Sequence, residues 1–588
     1  MATSSKDRIG TRIFILRMGL MLCLAGLGAA SVKLQVFDRD ILTRKAEQSQ
    51  SARLTIQGDR GRILDRNMNK LATSIDAPNI TADPKQVGDP QQTAAALSKV
   101  LGIKTSTLKK QLVRDKRFVI LAKRVSRKQA AAVKALNLKG IYQSPNTKRF
   151  YPNRELAAQL IGFTGEDKGL EGIELKYNEV LKGDRSKTKV LKDGDGRLLD
   201  INRLQRNQLR GNTIVLTIDK KIQYLSEQAI KQTVTANRAK SGMALVMNPT
   251  TGELLAVAHY PQFNPNNYQD YTQFSFRNRA VTDAFEPGSI MKVFTVAAAI
   301  EKGMAPKSIF YCENGRYRIG QFTVKDTHPH QWLSLAQIIK FSSNIGAAKI
   351  TETIGAKTLY HYLTAFGFGK KTNADMPGEI KGRLHAYQKW SQIDAGAISF
   401  GQGLSVTGIQ LITAISAIAN QGKLMKPMLI KQIITNTGES RHTFRPTVIR
   451  QVVSKNTADI IKRMMNQVVR KEGTGAQAAI EGYRVCGKTS TAQKAARHKR
   501  GYEQGKYIAA FGGFAPQNNP RLAILVVVDE PREEHFGGQV AAPTFKKIMR
   551  NSFNYLNIPP ENTDAMIAAV PSHGTTKQHP RRDTDAAL

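Results

Sequence analysis

A single run of apolar residues, Ile13 to Val32, sets the first limit on what this chain can build. About 20 consecutive apolar residues match the hydrocarbon thickness of a bilayer when they form a helix. Arg17 interrupts the run near one end, where a long basic side chain reaches the headgroups. Lys6, Arg8 and Arg12 precede it, so residues 1–12 are expected to remain cytoplasmic and the bulk of the chain to be exported. Two alternatives remain at this point. Gly28-Ala29-Ala30-Ser31 offers small residues where a signal peptidase cuts, and Cys23 is a lipidation candidate with a bulky Leu22 before it. An uncleaved anchor over 13–36 is the expectation. No second run of this kind follows, so the rest is expected to be soluble and outside the cytoplasm.

The 588 residues suffice for two to four domains with sizeable cores. A formal charge of +42 points to an anionic partner or to a heavily solvated basic surface. Between Lys104 and Arg149 there are fourteen Lys or Arg and one acid, Asp115. Apolar residues such as Phe118 to Leu121 alternate with them, so the block is expected to fold. Outside the cytoplasm no nucleic-acid partner is expected. Cys23, Cys312 and Cys486 have neither metal-ligand spacing nor the density of a disulfide framework. His328-Pro329-His330 is read as a loop, and no metal or cofactor is expected.

A helix is expected from Leu34 to about Gln50, and a short strand ending in a turn over Arg60 to Asn67. Mixed elements continue to about residue 205, with a loop at Asp193 to Gly196. Thr213 to Asp219 reads as a strand, Lys220 to Ala236 as a helix, and Ala244 to Ala258 as strand–turn–strand. Helices dominate from Lys292 to Asn420. Strands return at Tyr507 to Phe514 and Arg521 to Val528. Residues 558–588 are polar and expected to be disordered.

Chemistry concentrates in two competing strings. Gly482 to Thr489 fits G-x-x-x-x-G-K-[ST], and Ile524 to Val528 leads into Asp529 and Glu530, as in an ATPase with a magnesium-binding acid. The residues before Gly482 make no buried strand, and Tyr483, Arg484 and Val485 are bulky where phosphate must approach backbone. Asp529 and Glu530 are then expected in an exposed turn. The other string begins at Ser289-Ile290-Met291-Lys292, S-x-x-K, at a helix start. Positions i and i+3 share one helix face, and a desolvated amine can take the serine proton. Ser342-Ser343-Asn344 supplies S-x-N, and Lys488-Thr489-Ser490-Thr491 supplies K-T-[GS].

This ordered triple resembles the active-site serine penicillin-binding proteins and serine β-lactamases. Arg60 to Asn67, Arg149 to Pro152 and Gly169 to Glu174 resemble landmarks of the class B penicillin-binding proteins. Phe366 to Gly369, Pro377 to Glu379 and Ser399 to Gly403 resemble their division-specific, septal branch. The β-lactamases are shorter and lack the anchor. The resemblance implies an α+β chain with a transmembrane helix (13–36), an elongated mixed α/β pedestal of the dimerisation type (46–205) and a transpeptidase domain (212–556). That last domain would be an antiparallel sheet flanked by a helical subdomain, as in serine β-lactamases.

It further implies that Ser289 forms an acyl ester with peptidoglycan stems ending in D-Ala-D-Ala and that Lys292 is its base. Ser342 would relay a proton, and Asn344 would hold the substrate amide and Lys292. Lys488 would keep Lys292 neutral and add charge where the Thr489 and Thr491 hydroxyls grip the terminal carboxylate, with Ser490 between them in the substrate-binding wall. Implied partners are the lipid-linked precursor, β-lactams as covalent inhibitors, a membrane glycosyltransferase and single-span division proteins, at the septal inner membrane. An elongation-specific enzyme and a silent β-lactam sensor or scaffold are the alternatives within the fold. Two departures stand out. Met68 follows Asn67 where the family has Gly, and Ser490 replaces the Gly of K-T-G, where a side chain pointing toward the substrate groove would narrow it.

Overall fold

The computed structural model describes residues 4–43, 51–166, 168–191, 208–495 and 501–561. The end of the expected helix at 44–50, the loop at 193–196, the last pedestal residues and the tail from 562 lie outside the described residues. One helix among them is long and apolar enough to cross a membrane. It is α1, Ser4–Val32, which continues through a wider turn, Lys33–Phe37, closed by Asp38 N–H donating to the Lys33 carbonyl at 2.8 Å. Its described side chains are exposed, as a lipid-facing helix requires, and it fits a single-pass anchor.

Two compact units interleave along the chain. One comprises 1–60, 76–147 and 182–211; the other comprises 61–75, 148–181 and 212–588. In the first, strands Asn79–Ala82, Val119–Ala122 and Ile141–Ser144 form an antiparallel sheet backed by helices. Asp89 caps the helix Pro90–Leu101 by accepting from Gln91 and Gln92 N–H, Pro90 opens it, and Gly102 at φ 69° ends it. The basic block folds as expected: Leu108, Leu112, Val119, Leu121 and Val133 are buried, while Lys109, Lys110, Arg127, Lys128 and Lys134 stay at the surface.

The second unit is built on a five-stranded antiparallel sheet. Its strands are β1 (Ser241–Met247), β2 (Leu254–Tyr260), β3 (Cys486–Ala495), β4 (Tyr502–Ala515) and β5 (Leu522–Asp529), in the order β2-β1-β5-β4-β3. Alternation along each strand sends side chains to two cores. Ala244, Val246, Phe511, Ile524 and Val526 pack with helices α2 (Lys220–Ala236) and α7 (Gly537–Tyr555). Met243, Leu245, Ile508, Ala510, Leu525 and Val527 face the helical subdomain. There α3 (Met291–Glu301) is buried from Met291 to Ile300, with α4 (Leu335–Phe341), α5 (Asn344–Ile354) and α6 (Gly408–Ala419) around it. A helix apolar on every side belongs at the centre.

Three family landmarks meet inside this unit. Arg149 Nε donates to Glu174 Oε1 at 2.6 Å and its Nη1 to the Gly61 carbonyl at 2.6 Å, with both side chains buried. Met68 adopts φ 65°, a conformation that favours glycine, yet its turn persists. Asp65 Oδ1 holds it by accepting from Asn67 and Asn69 N–H at 2.9 and 2.7 Å.

Candidate active site

Ser289 sits in a tight turn, Gly288–Ile290, that runs into α3. Gly288 has φ 52°, and a Cβ there would lie 2.4 Å from Ser490 Oγ, so glycine is required. The turn presents a half-buried Ser289 above a fully buried Lys292. Lys292 Nζ lies 2.9 Å from Ser289 Oγ, 2.6 Å from the Ser342 carbonyl, 3.2 Å from Ser342 Oγ and 2.7 Å from Asn344 Oδ1. Lys488, also 0 % exposed, reaches in from β3: its Nζ donates to Ser342 Oγ at 2.9 Å and to the Thr489 carbonyl at 3.1 Å. The Ser342 hydroxyl thus bridges the two amines.

Burial is the main reason that Lys292 falls to about 7, because an ammonium loses its hydration there; the Asp326 charge pulls the other way. Lys488 stands well below the usual lysine range, first through burial and then through repulsion by Lys292. Burial is thus the first cause of the shift at both amines.

Ser289, Ser342, Asn344, Thr489, Ser490 and Thr491 line one cleft of about 560 Å³. The triads on β3 alternate. Thr489 Oγ1 donates to Thr474 Oγ1 at 2.9 Å, on a neighbouring loop that also lines the cleft. Thr491 Oγ1 accepts from Gly537 N–H at 3.0 Å and keeps its own proton for a ligand. Ser490 lines the same cleft. Its side chain is 3 % exposed and its hydroxyl is directed at Gly288, the foot of the nucleophile turn. Asn344 Nδ2 donates to the Lys325 carbonyl at 2.9 Å.

Sequence reading missed Asp326, Thr474 and Gly537. Gly473-Thr474-Gly475 was a visible turn signal; nothing local marked Asp326. His328 lines the cleft and His330 stacks on Phe341, and no cluster of three metal-binding side chains occurs among the described residues. The phosphate-loop alternative is excluded by topology. Lys488 lies within an edge strand antiparallel to β4, paired with Gly512, and no helix follows it directly. Asp529 and Glu530 are half-buried and both accept from Lys494 Nζ at 2.6 Å, so they form an ion-pair network in place of the exposed turn expected.

Residues 242–550 match the penicillin-binding protein transpeptidase domain, and residues 55–216 match the penicillin-binding protein dimerisation domain. The chain is 33 % identical over 566 residues, 95 % of each chain, to the probable peptidoglycan D,D-transpeptidase PenA of Neisseria meningitidis. It is 34 % identical over 562 residues to the peptidoglycan D,D-transpeptidase FtsI of Escherichia coli, covering 94 % of this chain and 93 % of that one. Among solved structures it is similar to penicillin-binding protein 3 of Mycobacterium tuberculosis complexed with aztreonam, with TM-score 0.68, 27 % identity, and 86 % and 98 % of the two chains covered. Both domain matches fall in order behind an apolar helix, and the three serine–lysine motifs close around one cleft: the chain belongs to the class B penicillin-binding proteins.

Proposed function

We propose that this protein is the septal peptidoglycan D,D-transpeptidase of its cell, working through an acyl-enzyme on Ser289. The observation that carries the reading is a half-buried serine hydroxyl 2.9 Å from a fully buried amine lowered to about 7. Near neutral pH a substantial fraction of Lys292 is neutral and takes the proton of Ser289. Oγ then attacks the penultimate D-Ala carbonyl. Backbone N–H groups of Ser289 and Thr491 stabilise the oxyanion, often the largest single contribution to such catalysis. The peptide C–N bond breaks, and the terminal D-Ala leaves as an amine that receives the proton from Lys292 through Ser342 Oγ. An amine from a second stem attacks the ester, its proton returns by the same route, and the bond to Ser289 Oγ breaks.

The hydroxyls of Thr489 and Thr491 hold the terminal carboxylate with the Lys488 amine behind them, and Asn344 aligns the substrate amide while fixing Lys292. A β-lactam acylates Ser289 in the same way but leaves no departing amine. The names of the relatives, FtsI and penicillin-binding protein 3, support the septal reading. By the same reasoning the anchor holds the enzyme in the cytoplasmic membrane at the division site. There it works beside a glycosyltransferase that polymerises the lipid-linked precursor, and beside single-span division proteins. Depletion tests the septal role. Filamentous cells are the expected outcome, whereas round cells would assign the enzyme to elongation. Release of D-Ala from a stem pentapeptide by the full-length protein distinguishes turnover from a silent sensor.

A further inference from the structure

Ser342 adopts φ 63° and ψ 39°, a left-handed conformation that side-chain-bearing residues rarely hold. In that conformation both its carbonyl and its hydroxyl face Lys292. The restraint comes from behind. Asp326 Oδ1 accepts from Asn344 N–H at 2.6 Å and Ile345 N–H at 3.1 Å, and Oδ2 accepts from Ser343 Oγ at 2.5 Å. Ser343 Oγ in turn accepts from Gly346 N–H at 2.9 Å, capping α5. The Lys325 carbonyl beside Asp326 accepts from Asn344 Nδ2. One two-residue segment therefore grips all three residues that follow Ser342.

We propose that Asp326 is a positioning residue for the acylation step: it fixes the Ser342–Asn344 turn against Lys292 and sets a negative charge behind that amine. The inference rests on Lys292 being the base for Ser289. Lys488 faces Lys292 from β3, and the Asp326 charge favours the Lys292 ammonium against burial. Behind the turn, Cys312 feels the charges of Asp326, Lys349 and Glu313, and His328, two residues from Asp326, lines the cleft. Asp326 thus limits how far burial lowers Lys292, and it holds the acceptors that keep the amine aimed at Ser289.

The test uses full-length protein in nanodiscs and the rate of acylation by a fluorescent penicillin across pH. Asp326→Asn keeps an acceptor for the two N–H groups and removes the charge. Its acid limb is expected to lie at lower pH than that of the unaltered protein, because the Lys292 ammonium loses the charge that favours it. Asp326→Ala also releases the turn and is expected to slow the plateau rate on the order of a hundredfold. An Asp326→Asn limb that stays in place or moves upward overturns the proposal, as does an Asp326→Ala plateau equal to that of the unaltered protein. Ser289→Ala separates the two readings. If it still labels, the nucleophile assignment itself fails. If labelling is lost there while both Asp326 variants behave as the unaltered protein, only the role of Asp326 fails.

Discussion

At the scale of single residues, Gly288 and Ser490 form a matched pair. The family resemblance leads one to expect glycine at position 490, and the serine found there aims its hydroxyl at the one place where position 288 has no side chain. Gly288→Ala would place Cβ 2.4 Å from Ser490 Oγ and strain a backbone at φ 52°. Penicillin acylation is expected to fall on the order of a hundredfold through displacement of Ser289. Ser490→Gly alone should change it little, and the double variant should recover part of the loss, because the two sites share one contact. Equal loss in single and double variants would show that the contact is irrelevant. The side chains that meet at the cleft were legible as motifs because S-x-x-K, S-x-N and K-T-S each occupy a few consecutive positions. Asp326 was not, because it acts on backbone N–H groups 18 and 19 residues away, which no side-chain pattern records.

At the scale of elements, strand alternation and caps explain most of what the sequence made readable. The helix expected over Lys220 to Ala236 is observed over those residues, with Asp219 as its cap. The string Gly482 to Thr489 shows the opposite case. The same letters suit a phosphate loop or an edge strand, and only the long-range pairing of Lys488 with Gly512 decides. Periodicity also hid Glu227, which lies fully buried on α2. Its Oε1 accepts from Gln223 Nε2 and Ala157 N–H, both at 2.7 Å, and burial raises its pKa from 4.5 to about 8. The folded state therefore retains a proton that the unfolded chain releases. The stability from this group is full below about 4.5 and is lost as pH rises through about 8. Glu227→Gln keeps the acceptor and removes the titration. Its thermal midpoint should fall less than that of the unaltered protein between those pH values, and a parallel fall would contradict a neutral Glu227.

At the scale of the whole molecule, the chain alternates between two compact units, so its linear order is a poor guide to where a segment packs. Gly61 to Ile75 and Lys148 to Leu181, read from sequence as pedestal, cluster with the transpeptidase residues. The parallel pairing of Ile63–Leu64 with Ile214–Val215 and the Ala157 N–H donated to Glu227 Oε1 tie them to those residues, while Arg149, bound to Glu174 and to the Gly61 carbonyl, ties the two segments to each other; composition cannot reveal such contacts. Glu174→Ala would leave Arg149 as an uncompensated buried charge, a loss on the order of 3–5 kcal/mol. Its thermal midpoint should drop sharply, and an unchanged midpoint would show that the pair is dispensable. The central claim is that Ser289 is the acylated nucleophile of a penicillin-binding transpeptidase. Peptide mass mapping of full-length protein treated with penicillin tests it most directly. The account predicts one adduct, on the peptide containing Ser289, absent from Ser289→Ala. An adduct on another residue, or none in folded protein, would contradict it.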